Sequence, residues 1–342
     1  MKRLFGPASG LASLAAAALV LVPLDASAQG ADFYKGKTVN IVVGFSPGGG
    51  YDAYARLVAR HLDRYIPGNP AVVVQNMPGA GSLTAVRYLD ASAAKDGTVI
   101  TTFNPALITE SFASPETVQN FKFSDVAWIG SVTRDFRVCY AWHTSGVKTW
   151  DDLMKRNEYI MGGTAKGTGS YVNGAIMRNV FGAKIKTILG YPGSAEQRLA
   201  IERGELDGDC GSWSSIGQDW IKENKIVSFV RFSPVRTPDI PESVPFIGEF
   251  AKTQEQKDLL NMLIAAGELG RPYVISKQVP AERQQILRKA FDALMEDKQF
   301  LADADKTKLP VNPATGGEAE KIIDAIYKAP LELQKKAGAA IE

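Results

Sequence analysis

The stretch Phe45-Ser46-Pro47-Gly48-Gly49-Gly50-Tyr51-Asp52 is a glycine-rich turn between a strand-like run and a helix-like run. Upstream, Val39-Asn40-Ile41-Val42-Val43 is rich in β-branched residues and suits a buried parallel strand. Downstream, Tyr54, Leu57, Val58, His61 and Leu62 recur at helical spacing, so a helix should open near Asp52. Three successive glycines allow a ligand to approach the backbone, and the first amides of the helix have no internal partner and carry partial positive charge. Such a turn favours anions. Taken alone, the same residues also fit a plain strand-to-helix connection with Asp52 as N-cap.

The construction recurs. Asn76-Met77-Pro78-Gly79-Ala80-Gly81-Ser82 follows the apolar run Ala71 to Val74 and precedes Leu83, Val86, Tyr88 and Leu89 at helical spacing. Gly162-Gly163-Thr164-Ala165-Lys166-Gly167-Thr168-Gly169-Ser170 lies between Tyr159-Ile160-Met161 and Val172, Ile176, Met177 and Val180. A fourth loop, Tyr191-Pro192-Gly193-Ser194, follows Thr187-Ile188-Leu189 and opens a helix in which Ser194 and Gln197 match a capping box. Ligands of open α/β sheets gather at the carboxyl ends of strands, so four such loops can converge on one cleft.

Lys2 and Arg3, the apolar run Leu11 to Val22 and the small residues Ala26-Ser27-Ala28 form the pattern of a secretory signal peptide over residues 1–28, with a mature start at Gln29. Losing Lys2, Arg3 and Asp25 lowers the formal charge from +2 to +1, a balance that offers nothing to nucleic acid or to an anionic membrane. A mature chain of this length exceeds the size at which one core usually splits, and strand-like and helix-like runs alternate throughout. The expectation is an α/β protein of two domains with mainly parallel sheets. The first crossing is expected at Ala127 to Trp142 and the return at Ile226 to Phe232, before the proline-rich Pro234 to Pro245. Domain 1 would comprise 29–131 and 235–342, and domain 2 would comprise 132–234, with the two crossings as hinge. Cys139 and Cys210, the only cysteines, sit in strand-like runs of domain 2 in a chain bound for an oxidising compartment, so a disulfide is expected.

The chain resembles the Bug family of periplasmic substrate-binding proteins, the extracytoplasmic receptors of tripartite tricarboxylate transporters. The matching residues are Ile41 to Asp52 with Ala55-Arg56, Val74-Gln75-Asn76-Met77-Pro78-Gly79-Ala80-Gly81, Asp96-Gly97-Thr98, Gly190-Tyr191-Pro192-Gly193-Ser194 and Gly204-Glu205-Leu206-Asp207. The resemblance implies a type II-like, Venus-flytrap binding protein, with two α/β domains closing over a small carboxylated ligand, which is a dicarboxylate, a tricarboxylate or an aromatic carboxylate. Membrane permease subunits would be the partners of a monomeric receptor. Carried onto this sequence, it implicates Phe45, Pro47, Gly48, Gly49, Tyr51 and Asp52 together with Gly79, Ala80, Gly81 and Ser82, largely through backbone amides. The opposite domain would contribute Gly163, Thr164, Thr168, Ser170 and Tyr191. Tyr51 replaces a small hydroxyl residue of many relatives, and Gly211-Ser212-Trp213 stands near an acidic position of the family. Tyr51 and Trp213 are therefore candidates for flat apolar walls, or for packing residues beside the cleft.

Two other classes compete. A sensory co-receptor of a membrane kinase would use the same closure with a different partner. For an enzyme, Gly48-Gly49-Gly50-Tyr51-Asp52-Ala53 fits a dinucleotide loop, but the next strand ends in Gln75-Asn76 where an acid is required. Gly36-Lys37-Thr38 imitates a phosphate loop with Ala31 in place of its first glycine, and His61 and His143 belong to no triad or metal spacing. Neither cofactor, metal nor catalytic residue is expected. The four loops hold one basic residue, Lys166, so recognition is expected to rest on amides and hydroxyls.

Overall fold

A computed structural model of the chain describes residues 1–2 and 32–342; the remainder of the expected signal peptide lies outside the described residues. Eleven strands are present among them: β1 (Thr38–Val43), β2 (Ala71–Asn76), β3 (Val99–Thr102), β4 (Val126–Ser131), β5 (Arg137–Trp142), β6 (Tyr159–Gly163), β7 (Ile185–Leu189), β8 (Gly208–Ser212), β9 (Ile226–Arg231), β10 (Pro272–Ser276) and β11 (Ala314–Thr315). They form two sheets, ordered β11-β4-β10-β3-β1-β2 and β7-β6-β8-β5-β9.

Both sheets are mainly parallel in strand direction, and the exceptions follow from the chain path. β1 runs parallel to β2 and β3, whereas β10 is antiparallel to β3 and β4, and the short β11 is antiparallel to β4. In the second sheet β6 is parallel to β7 and β8, and only β5 is reversed. β5 and β10 are the strands entered directly after the chain passes from one sheet to the other.

The chain first passes from one sheet to the other between β4 and β5. Val132 N–H donates to Arg271 O at 3.1 Å and Asp135 N–H to Gly267 O at 2.7 Å, so the outgoing segment is paired with the returning one. The return comes later than Ile226 to Phe232. That β-branched run is β9, an edge strand paired with β5, and the chain rejoins the first sheet only at β10, after the helix Gln254–Ala265.

Burial on both faces explains the apolar runs. In β1, Val39, Ile41 and Val43 face a core shared with helices Gly50–Ala59 and Ala281–Met295, while Val42 faces a core shared with helices Leu83–Ala91 and Gly316–Tyr327. In β5, Cys139 and Ala141 face one core and Val138 and Tyr140 the other. Helices Gln254–Ala265 and Leu331–Ile341 pack into the core that contains Cys139. Cys139 and Cys210 stand opposite each other in the β5–β8 register and form the expected disulfide.

Candidate functional site

The carboxyl ends of β1 and β2 face those of β6, β7 and β8 across a cleft, and the helices that open onto it share a local property. Helices Gly50–Ala59, Leu83–Ala91, Gly169–Asn179 and Ser194–Glu202 have as N-caps Gly49, Ser82, Thr168 and Gly193, none of which caps through its side chain. Elsewhere, Thr149, Thr253, Asp297 and Thr315 each accept a first-turn amide, while the helices that follow Gly217, Pro280 and Pro330 also have no side-chain cap. First-turn N–H groups are thus left for something else where the sheets meet.

The first loop is braced from within. Gly48, at φ +84°, donates its N–H to Asp52 Oδ2 at 2.9 Å, and Asn76 Nδ2 donates to Phe45 O and Asp52 Oδ1, both at 3.0 Å. Burial alone would raise the Asp52 pKa, but Arg56, the Gly48 amide and Asn76 hold it below the usual carboxylate range. Asp52 is therefore a brace, and the helix opens at Gly50 with Gly49 as its N-cap. The second loop contains four consecutive residues with positive φ, Gly79 (146°), Ala80 (45°), Gly81 (63°) and Ser82 (82°). Two of these are not glycine, so the strain must be held by the surroundings. Ser82 is buried, its hydroxyl accepts the Asn104 amide at 2.9 Å, and a β-carbon on Gly44 would fall 2.2 Å from its own.

Two adjoining cavities occupy the cleft. One, of about 50 Å³, is lined by Phe45, Gly49, Gly50, Tyr51 and Asn104 on the first-sheet side. From the second-sheet side come Arg137, Thr164, Thr168, Ser170, Ser194, Gln197, Asp209, Gly211, Ser212 and Ser215. The other, of about 290 Å³, is lined by Gly44, Phe45, Pro78, Gly79, Ala80, Gly81, Thr164, Gly190, Tyr191 and Pro192. Phe45 and Thr164 border both. Tyr51 Oη, Thr164 Oγ1 and Gln197 Nε2 are buried without a hydrogen-bond partner. Burial pushes the Tyr51 phenol up to about 12, so it stays a neutral donor, and its ring stacks on Phe45 at 4.7 Å.

Of the residues expected at the site, Phe45, Gly49, Tyr51, Gly79, Ala80, Gly81, Thr164, Thr168, Ser170 and Tyr191 line these cavities. Pro47 and Gly48 are exposed on the turn, Ser82 and Asp52 hold the loops, and Gly163 accepts the Tyr191 amide at 3.4 Å. Trp213 lines neither cavity; it packs with Phe136, Val138, Tyr140 and Trp220. Ser194 and Gln197 form no capping box, because Gly193 takes the N-cap position and Gln197 turns inward.

The expectation that Lys166 is the basic residue near the ligand is corrected. Lys166 lies in a separate depression beside Glu110 and Glu116, whereas two buried arginines stand at the cleft. Arg137 donates from Nε (3.0 Å) and Nη2 (2.5 Å) to Asp135 Oδ2, and from Nη1 to Cys210 O at 3.0 Å. Arg271, just before β10, lies 4.3 Å over the Tyr51 ring and donates to Ser212 (3.3 Å), Ser214 (2.6 Å) and Ser215 (3.4 Å). Burial would raise the Asp135 pKa, but Arg137, Arg271 and the Ser212 hydroxyl hold it below the usual range. Sequence reasoning missed these because they come from strand ends. The available signal was a charge interrupting an apolar strand, Arg137 before Val138-Cys139-Tyr140 and Asp209 before Cys210.

No protein-family profile matches the chain. A UPF0065 protein from the TAR-I ttuE–ttuC' intergenic region of Agrobacterium vitis is 27% identical over 228 residues, covering 65% of this chain and 64% of that protein. The chain thus spans less than two thirds of that curated relative. The solved structure of the periplasmic binding protein BugD superposes with a TM-score of 0.73 at 21% identity, covering 89% of this chain and 99% of that one. MatC from Rhodopseudomonas palustris, solved with bound malate, superposes with a TM-score of 0.68 at 16% identity, covering 90% and 99%. The fold is that of the two-domain periplasmic binding proteins. The resemblance to the Bug family holds: the chain's structural neighbours are Bug- and TctC-type binding proteins.

Proposed function

We propose that the chain is an exported solute receptor that captures a small carboxylate by closing its two halves around it and delivers it to the permease of a tripartite tricarboxylate-type transporter. The observation that carries this reading is the set of three unpartnered polar atoms, on Tyr51 from one half and on Thr164 and Gln197 from the other, buried around one cavity. Buried polar groups are otherwise almost always paired, so a ligand that satisfies all three would also join the halves. The uncapped helix starts add amides suited to an anion. The malate held by MatC supports a carboxylate, and a disulfide accords with an oxidising compartment. The moving halves would be 29–131 with 235–342, and 132–234; the helices Gln254–Ala265 and Leu331–Ile341, which pack on the second sheet, would travel with the latter.

A thermal-shift screen of dicarboxylates, tricarboxylates and aromatic carboxylates on the mature protein tests this, combined with small-angle scattering at saturation. A ligand that binds only the native state raises its melting temperature by mass action, and closure reduces the radius of gyration. Absence of any stabilising carboxylate, or conversion of the ligand to a product on long incubation, would overturn the reading.

A further inference from the structure

A groove of about 880 Å³ lies between helices Gln254–Ala265, Gly316–Tyr327 and Leu331–Ile341 and shares no lining residue with the cleft. Its floor is apolar and drawn from both halves: Ile322 and Ile326 pack on the core of the first sheet, Met262 and Leu333 on that of the second. Ala325 lines it from an exposed position, and Leu331, next to the rim residue Glu332, is 64% exposed. The rim is acidic, with Glu255, Asp258, Glu268 and Glu332 against Lys336. Glu255 pairs with Lys336, Glu332 with Lys335 at 3.1 Å and Glu268 with Arg134. The two lysine pairs are exposed and therefore weak. Asp258 accepts from Gln254 Nε2 at 2.8 Å and has no cation among the described residues.

We propose that this groove docks an amphipathic helix of a partner protein whose polar margins carry lysine or arginine, and that its occupation favours the closed form. An apolar trough between helices takes the apolar face of a further helix. Glu255 and Asp258 rise from one wall and Glu332 from another, so carboxylates stand along both margins of that helix. A second copy of this chain meeting the groove face to face would set like charges opposite each other, and an anionic membrane would be repelled. A small uncharged apolar molecule would leave the rim unengaged. Glu268 also lines a smaller cavity beside the paired passages between the sheets, and Asn104 and Arg137 line both that cavity and the cleft. The groove thus lies across the hinge from the cleft, with a wall on each half. Rotation that shuts the cleft draws those walls apart, and a helix seated between them holds them so. This coupling rests on the closure reading above; the docking surface does not.

The test uses a synthetic helical peptide of about four turns, with leucine on one face and lysine along its margins, and a counterpart with glutamate in place of lysine. In calorimetric titration of the full mature protein, the lysine peptide should bind at least about tenfold tighter than the glutamate one. Ala325→Trp fills the groove and Asp258→Lys reverses a rim charge; both positions are exposed. Each variant should weaken the lysine peptide at least about fivefold while leaving the melting temperature in place. A carboxylate from the stabilisation screen, at saturation, should tighten the peptide, and the peptide should tighten that carboxylate by the same factor. Equal binding of the two peptides, or variants that leave the lysine peptide's affinity unchanged, would overturn the docking surface. A dimer in sedimentation that Ala325→Trp dissolves would give the groove to a second copy and overturn it as well. Independent binding of peptide and carboxylate would overturn the coupling alone. A screen without any stabilising carboxylate would remove the receptor reading and leave peptide binding standing.

Discussion

The Ser46 hydroxyl, on the loop after β1, donates to Glu196 Oε2 at 2.9 Å, on the helix after β7. This bond joins the two halves at the lip of the cleft, and Arg198 Nη2 reinforces it by donating to Gly48 O at 3.3 Å. Its closeness depends on Gly193, where a β-carbon would stand 2.5 Å from Ser46 Oγ.

Gly193→Val should therefore hold the halves apart. Gly193 has φ −173°, extended backbone that valine also adopts, so the clash is with the opposite loop and not with its own. Scattering should give a larger radius of gyration with ligand present, and the affinity should fall at least about tenfold while the unliganded melting temperature stays nearly constant. Unchanged affinity would mean that ligand binds without closure.

Arg271 should matter for stability as well as binding. It is 1% exposed and its guanidinium holds Ser212, Ser214 and Ser215 of the second half against Tyr51 of the first. Arg271→Gln should cost about 2 kcal/mol in a urea melt, the scale of charge-assisted hydrogen bonds lost. Lys166→Ala, outside the cleft and exposed, should leave both stability and affinity nearly unchanged.

Glu110 predicts a pH dependence of stability. It is 2% exposed on helix Ala106–Ala113, and a β-carbon on Gly167 of the facing loop would lie 2.3 Å from its Cγ. Burial pushes its pKa up to about 7 from 4.5, with Lys166 opposing. An acid with a raised pKa binds its proton more readily in the buried state, so stability is highest at low pH and declines as pH rises from about 4.5 through about 7. Glu110→Gln should raise the melting temperature at pH 8 and change it little at pH 4.5 or below. Equal shifts at both would exclude this carboxyl as the source.

The disulfide closes a separation of 71 residues, for which chain entropy gives a stabilisation of about 4 kcal/mol. Cys139→Ala with Cys210→Ala, compared with wild type in denaturant melts, should lower the midpoint accordingly. It should also weaken ligand binding, because the bridge ties β5, which carries Arg137, to β8, which carries Asp209.

What could be read from the sequence was local in nature. Glycine runs between a β-branched segment and a 3.6-residue period identify loops, and the four that were identified do meet at the cleft. Strand direction leaves no such trace: Tyr273-Val274-Ile275 reads the same whether β10 runs with β3 or against it. The spacing of Ser194 and Gln197 satisfied a local rule that Gly193 overrode, because a glutamine at that turn faces inward when its helix packs on β8. Arg137 and Arg271 could not be assigned from sequence because they are far apart along the chain, and only the pairing of the two passages between sheets sets them beside one serine cluster.

The uncapped helix starts carry a lesson for anyone who engineers or evolves this protein. With the halves apart, so that a β-carbon at 193 or 49 no longer meets Ser46 or Ser194, an aspartate there would supply the side-chain acceptor that the helix lacks, worth a few tenths of a kcal/mol over glycine. It would also set a permanent negative charge at the mouth of the cleft. Selection on the heat resistance of the empty protein would therefore reward the substitutions that impersonate its cargo, and the hardiest variants from such a screen would be the ones that no longer respond to it.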